Sequence, residues 1–375
     1  MTTGLGFGVL GPLLMTSHGV RVPVGPPKQR AVLAMLLINR NRPVSVEALI
    51  DGVWDEDPVP AARTSIQAHI SNLRRLLRSV GADANRMLAS APPGYQLSVA
   101  DPDCDVGRFM TAKAAGVKAA AAGQLGDAGD HFSFALAEWR GLVLEDLRDF
   151  AFVDAYAAAL TEEKVATHIA RAEAEIACGR AGSVIAELEA LAAEHPYREP
   201  LWAQLITAYY VTERQSDALG AYRRLKTALA DGLGIDPGRT VSALHERILR
   251  QEPLGTKLAA LTTHKRDAYR GGEAAPSPGS AVARLRDQNG REYRLSGATT
   301  RIGRFTDNDI VLDDADVSRH HAVIADTGTG FVITDLRSTN GVEVQGRRIH
   351  GSAAVADGDH IRIGNQQLRL EIEPS

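Results

Sequence analysis

The chain has 375 residues, 44% of them hydrophobic and 23% charged, with a formal net charge of −4. Such a length exceeds one ordinary core and predicts about two to three domains, and the composition excludes both a disordered tail and a membrane protein. Two cysteines, Cys104 and Cys178, without a CxxC spacing, exclude a disulfide framework; both are expected as buried free thiols in a reducing compartment.

The charge is unevenly spread. Residues 1–100 hold 10 Lys/Arg against 6 Asp/Glu, residues 101–250 hold 16 against 23, and residues 251–375 hold 16 against 17. A basic first segment beside an acidic second one predicts that only the first approaches a polyanion. The N-terminal "MTTGLGFGVLGPLLM" lacks the basic residues that open a signal peptide. No stretch approaches the ~18 apolar residues of a membrane span, so a cytoplasmic location with no membrane partner is expected.

Residues 5–24, "LGFGVLGPLLMTSHGVRVPV", alternate apolar with small or polar residues around a turn at "SHG", which predicts short antiparallel strands. Helical spacing follows in "PPKQRAVLAMLLINRN", with Pro27 at the helix start and Val32, Leu33, Leu36 and Leu37 on one face. Next comes "SVEALIDGVW", with Ser45 as N-cap. A third helix is expected over residues 63–78, and "PPG" in "LASAPPGYQLSV" reads as a hairpin turn. Strands, three helices and a hairpin occur in the order of a winged helix-turn-helix, and residues 1–102 are assigned to it.

On the third helix Ile66, Ile70, Leu73 and Leu77 share one face and must pack inward. The other face shows Thr64, Gln67, Ala68, Ser71, Asn72, Arg75 and Arg78, flanked by Arg63 and Arg74. Arginine can pair with guanine edges or phosphates, and Gln and Asn with adenine, so this face suits double-stranded DNA; a solvated basic face is the alternative. A segment charge of only +4 gives modest nonspecific affinity, and tight binding would need a dimer on repeated half-sites.

Residues 103–250 turn alanine-rich and helical. "GRAGSVIAELEAL" and "ERQSDALGAYRRL" superpose at a 34-residue offset, matching Arg180 with Arg214 and Leu191 with Leu225. This is the tetratricopeptide period, in which stacked helix pairs bury faces that no single pair could bury alone. "GLG" at 232–234 is expected to end a helix. Residues 251–280 grow polar and rich in Gly, Pro and Ser, as a linker does. From residue 281 to 375, short alternating strands punctuated by "NG", "QG" and "DG" predict an all-β sandwich. The expected fold class is therefore multidomain α+β: a winged helix, then all-α TPR-like repeats, then an all-β sandwich.

Inside the sandwich, "RIGRFTDNDIVLDDADVSRHHAVI" (301–324) and "LRSTNGV" (336–342) place a guanidinium, a hydroxyl, an Asn amide and glycine-flanked backbone N–H groups on loops between strands. Loops at one end of a sandwich converge in space. These groups are almost all donors, which suits a bound dianion, and phosphate on a peptide is the natural candidate. No thiol or lysine stands among them as a nucleophile. Nor does the chain contain GxxxxGK[ST], HExxH, Cys/His metal spacing or GxSxG, so no enzyme, metal or cofactor is expected.

The combination "GR…NDIVL…VSRHHA…DLRSTNGV…DGDHIRIG" resembles the forkhead-associated (FHA) domain, a sandwich that binds phosphothreonine peptides, over roughly residues 281–373. The resemblance implies that Arg304 and Ser318 hold the phosphate, with Arg319 assisting, and that Asn340 binds the peptide backbone with Thr339 beside it. Gly303, His321 and Gly341 would shape the loops. "LGFGVLGPL", "PPKQRAVLAMLL", "SIQAHISNLRRLL" and "PPGYQL" resemble the winged helix of the SARP family of bacterial regulators. The helical segment, with "HPYREPLWAQLITAYY" and "RQSDALGAYRRLKTALADGLGIDPG", is similar to the bacterial transcriptional activation domain (BTAD) that follows it. With the FHA domain attached, the chain is similar to the EmbR type of mycobacterial regulator from about residue 5 to 373. One departure is that the exposed face carries Ser71 and Asn72 where related winged helices of the response-regulator kind often carry arginines. The resemblance implies a transcription factor coupled to a phosphorylated Ser/Thr protein kinase, itself a kinase substrate, with RNA polymerase as a further partner. The alternative is an adaptor that occupies the kinase and binds DNA weakly.

Overall fold

The computed structural model describes residues 4–54, 60–254, 283–288, 290–295, 299–305, 308–326, 331–336, 338–349 and 352–372. Most of the expected linker therefore lies outside the described residues. Those described fall into two bodies, one holding the residues up to Arg108, Glu138–Glu163 and everything beyond 282, the other Phe109–Ala137 and Lys164 onward to residue 254.

In the first body the chain opens with an antiparallel sheet of β1 (Leu5–Gly8), β2 (Leu14–Ser17) and β3 (Val20–Arg21). A single carboxylate anchors the turn after β1: buried Asp105 accepts the N–H groups of Val9 and Leu10 at 2.9 and 3.0 Å and pairs with Arg140 at 3.1 Å. Helix α1 (Pro27–Ile38) starts with proline at its first turn. Its expected single apolar face is widened, since Ala31 through Leu37 are all buried. The reason is tertiary: α1 is enclosed by α2 (Val46–Trp54), α3 (Ala62–Ser79), strand β6 (Gly94–Leu97) and the turn Glu145–Leu147.

Ser45 caps α2 by accepting the Ala48 N–H at 3.0 Å, which satisfies a donor the helix cannot use internally. After the short α4 (Ala84–Met87), β5 (Leu88–Ala91) and β6 form the hairpin, joined through Pro92–Pro93. A strand that the sequence did not announce, β4 (Val44–Ser45), pairs with β6. Glycine is required there, because a Cβ on Gly94 would stand 2.0 Å from the Val44 carbonyl oxygen.

The helical elements are α5 (Asp105–Ala121), α6 (Leu125–Ala137), α7 (Phe152–Ala177), α8 (Ile185–Glu194), α9 (Glu199–Val211), α10 (Gln215–Leu233) and α11 (Arg239–Leu249). In the second body Leu188, Leu191, Trp202, Leu205, Leu225 and Leu229 share one buried core. The matched pair Leu191 and Leu225 thus occupy equivalent inward positions, as stacked repeats require. The repeat is imperfect in shape: Arg180 precedes a one-turn 3-10 helix before α8, whereas Arg214 leads directly into α10. Gly234, at φ +68°, ends α10 in the left-handed conformation that glycine adopts without steric cost. Cys104 is buried, its thiol pushed up to about 11 by desolvation and by the Asp105 carboxylate. Cys178, expected buried, is only half-buried; it lies just past the end of α7 at Ala177, ahead of the turn at Gly179.

The C-terminal segment forms two facing sheets. One runs β10 (Ile310–Val311), β9 (Thr299–Gly303), β11 (Ala322–Asp326), β12 (Phe331–Asp335), β15 (Ser352–Val355). The other runs β14 (Arg347–Arg348), β13 (Val342–Val344), β16 (His360–Ile363), β17 (Gln366–Ile372), β7 (Ala283–Asp287), β8 (Glu292–Arg294). Alternation drives the core: in β16, Ile361 and Ile363 point inward between exposed His360 and Arg362. Strands β10 and β15 lacked a local signal, and cross-strand pairing with β9 and β12 makes them strands.

Candidate functional site

Three loops meet at one end of the sandwich, and backbone hydrogen bonds set their spacing. Strand β9 ends at Gly303, where a Cβ would stand 2.2 Å from the Arg319 carbonyl oxygen and 2.8 Å from Asn308 Nδ2. With that contact open, Arg304 N–H donates to Ser318 O at 3.0 Å. Buried Asn308 closes the other side, its amide donating to Phe305 O at 2.9 Å and Arg319 O at 2.7 Å.

His321 ties the second loop to the third. It is fully buried, and its Nδ1 accepts the Ser318 N–H at 2.9 Å. Nε2 must then carry the proton, which it donates to Gly341 O at 3.1 Å. The imidazole is therefore neutral, and burial holds its pKa below the ordinary 6.5 although the Gly341 bond opposes the shift. Protonating Nδ1 would set two donors against each other and open the loop.

Ser318 Oγ accepts the Thr339 N–H at 3.0 Å and donates its own proton toward the Thr339 hydroxyl. Thr339 Oγ1 stands 3.5 Å from that oxygen. Asn340 donates an amide proton to Asp316 O at 2.8 Å, which fixes the orientation of its side chain. The Asp316 turn is held by Asp314, whose carboxylate accepts the Asp316 N–H at 2.9 Å and lies below its usual pKa chiefly for that reason. An open groove of about 280 Å³ continues from Asn340 past Asp316, Glu343, Arg362 and Asn365.

Arg304 is exposed. Arg319 lies 5.4 Å over the Phe305 ring, with Nη1 3.3 Å from Asp51 of α2. Ser318, Thr339 and Asn340 are thus brought together, Arg304 and Arg319 flank them, and Gly303, His321 and Gly341 space the loops. The sequence did not single out Asn308, Asp51 or Arg348, the last with its guanidinium packed against Gly341. Asn308 lay within the quoted "NDIVL"; the other two carry no local signal, because only folding brings them near.

On α3, Ile66, Ile70, Leu73 and Leu77 are buried, while Arg63, Thr64, Gln67, Ala68, Ser71, Arg75 and Arg78 are exposed. The arginines differ in what they touch. Arg63 pairs with Glu47 of α2. Half-buried Arg74 turns to the hairpin, donating to Leu88 O at 2.9 Å and Ser90 Oγ at 3.0 Å and lying 5.7 Å over Tyr95, so it braces the wing. Arg75 bonds the amide oxygen of half-buried Asn72, and Arg78 reaches Asn85 at 3.5 Å. These last two are exposed to solvent and, among the described residues, bond only amide oxygens.

Family comparisons match three segments of the chain. The family "Transcriptional regulatory protein, C terminal" matches residues 23–97, the bacterial transcriptional activator domain 104–249, and the FHA domain 300–364. That combination is the architecture of a modular bacterial transcriptional regulator. The transcriptional regulatory protein EmbR of Mycobacterium tuberculosis is 61% identical over 98% of this chain and 95% of its own. MoaR1 of the same organism is 48% identical over 72% of this chain and 86% of its own. A solved structure described as Mycobacterium tuberculosis EmbR in complex with a low affinity phosphopeptide superposes with a TM-score of 0.82 at 60% identity, covering 99% of both chains. The chain belongs to the EmbR family of SARP-type transcriptional regulators.

Proposed function

We propose that this regulator binds double-stranded DNA through α3 and its wing and takes its signal from a phosphothreonine on a Ser/Thr protein kinase, bound at the loops of the sandwich. One observation carries the reading: three loops locked by a buried neutral histidine present the Ser318, Thr339 and Asn340 side chains together, with Arg304 and Arg319 beside them. Donors fixed in advance favour a dianion, since little ordering remains to oppose binding. Arg304 and Ser318 hold the phosphate, Arg319 and Thr339 assist, and Asn340 holds the peptide backbone. The groups are arranged to hold a phosphate, and the reading is of a binding protein and not an enzyme.

On DNA, Thr64, Gln67, Ser71, Asn72, Arg75 and Arg78 meet bases and phosphates, and Arg63 and Arg74 support them from the flanks. Two copies on repeated half-sites supply affinity that one weakly basic domain lacks. The helical repeats carry contact with RNA polymerase, and the protein works in the cytoplasm. Among the described residues no helix is long and apolar enough to cross a membrane. The domain limits remain 1–102, 103–250 and 281–375, with the linker between the last two.

A second reading, a kinase-occupying adaptor with weak DNA binding, is favoured by the pairing of Arg63 with Glu47 and of Arg74 with the wing. Selection from a random pool of duplexes at near-physiological salt separates the two. Recovery of a repeated motif supports the regulator, and salt-sensitive retention without a motif supports the adaptor. Titration with phosphothreonine peptides and their unphosphorylated forms tests the sandwich, with measurable binding expected only for the former.

A further inference from the structure

Arg319 sits at two places at once. It flanks the loops that converge on Ser318, and its Nη1 stands 3.3 Å from Asp51 Oδ1 on α2 of the winged helix. Both side chains are largely covered, 33% and 21% exposed, so the pair is less screened than a surface ion pair. A second tie joins the same two folds: Arg301 Nη1 donates to Asn39 Oδ1 at 3.3 Å, while its Nε pairs with Asp309 at 3.4 Å. Arg301 lies on β9, ahead of the loop, and it is Arg319 that adjoins the phosphate position.

We infer that Asp51 and a bound phosphate compete for Arg319, so that phosphopeptide binding loosens the attachment of the winged helix to the sandwich; this rests on the phosphothreonine reading above. The chemistry favours the ligand. A phosphate ester carries a charge of roughly −1.5 to −2 near neutral pH and accepts in bidentate fashion, whereas the Asp51 carboxylate offers a single unit charge. A phosphate drawn to Arg319 also brings negative charge toward the Asp51 carboxylate, which weakens the pair from the other side. The Arg301–Asn39 tie is untouched, so the contact is weakened and not lost. Because coupling is reciprocal, whatever draws Asp51 away from Arg319 must raise affinity for the phosphopeptide.

The test titrates full-length protein with a fluorescent pool of phosphothreonine peptides with randomised flanks. Asp51→Asn keeps shape and removes the charge, so it should tighten binding about two- to fivefold, the range expected for one partly exposed ion pair. The same change placed in an Arg319→Ala background should have no effect, since there is then nothing to release. Unchanged or weaker binding by Asp51→Asn would overturn the competition, the weaker case meaning that Asp51 aims Arg319 at the ligand. Arg304→Ala is the independent control: if it still binds the pool, the phosphothreonine reading fails whatever Asp51 does. Circular dichroism of each variant confirms the fold, and Asp51→Ser supplies a second charge-removing change should the amide pair differently.

Discussion

The sandwich loops and the exposed face of α3 are both rich in polar donors, yet they are built differently. In the loops the spacing comes from buried groups: His321 and Asn308 make four hydrogen bonds to backbone atoms at 2.7–3.1 Å, and Gly303 admits a carbonyl where a Cβ could not fit. On α3 the helix alone sets the spacing, and the side chains either bond one another or, like Arg74, fold back onto their own domain. A site prepared for one rigid ligand group needs a covered framework. A face meant to meet a groove can leave its side chains to adjust on contact.

Removal of the framework should expose that contrast most strongly. His321→Ala should cost the sandwich about 3 kcal/mol, from two lost hydrogen bonds and the cavity left behind, read as an earlier unfolding transition. The equivalent change on α3, Ser71→Ala, should stay within about 0.5 kcal/mol, as exposed substitutions do. Next in size is Arg304→Ala. Loss of a charge-assisted contact should weaken phosphothreonine-peptide binding by about 1.5–3 kcal/mol without shifting the unfolding transition, measured by calorimetric titration.

Smaller again are Arg75→Ala and Arg78→Ala. Each should weaken DNA binding about uniformly across sequences if it meets phosphate, and lower the slope of log K against log salt by about 1. No change in DNA retention would favour the adaptor reading. The smallest effect is on pH. An unfolded imidazole takes its proton near 6.5, while folded His321 resists it, so acid favours the unfolded chain. Its contribution is complete above pH 6.5 and lost as pH falls through the lower folded value. The sandwich should therefore unfold at lower temperature as pH drops below 6.5, and part of that drop should vanish in His321→Gln.

Much of the architecture was legible because it follows from local periodicity and turn chemistry. Pro27 opens α1, Ser45 caps α2, Gly234 closes α10, and the strands of "HIRIG" and "QLRLEIE" alternate as a half-buried sheet demands. The strands that escaped, β4, β10 and β15, are two to four residues long and are strands only through pairing with a neighbour, which for β4 is about fifty residues away. The loop residues were legible as types, since "VSRHHA" and "STNGV" gather donors at turns, but their order of dependence was not. That His321 bridges Ser318 to Gly341 required both loops in place.

Spacings of a few residues were enough to set the three textures, their order, the inward face of α3 and the donor-rich loops. Folding was needed to bury α1 on all sides, to turn Arg74 back as a brace for the wing, and to bring Arg319 against Asp51 from the far end of the chain. Those outcomes depend on which surfaces face each other after folding, and no local pattern encodes that.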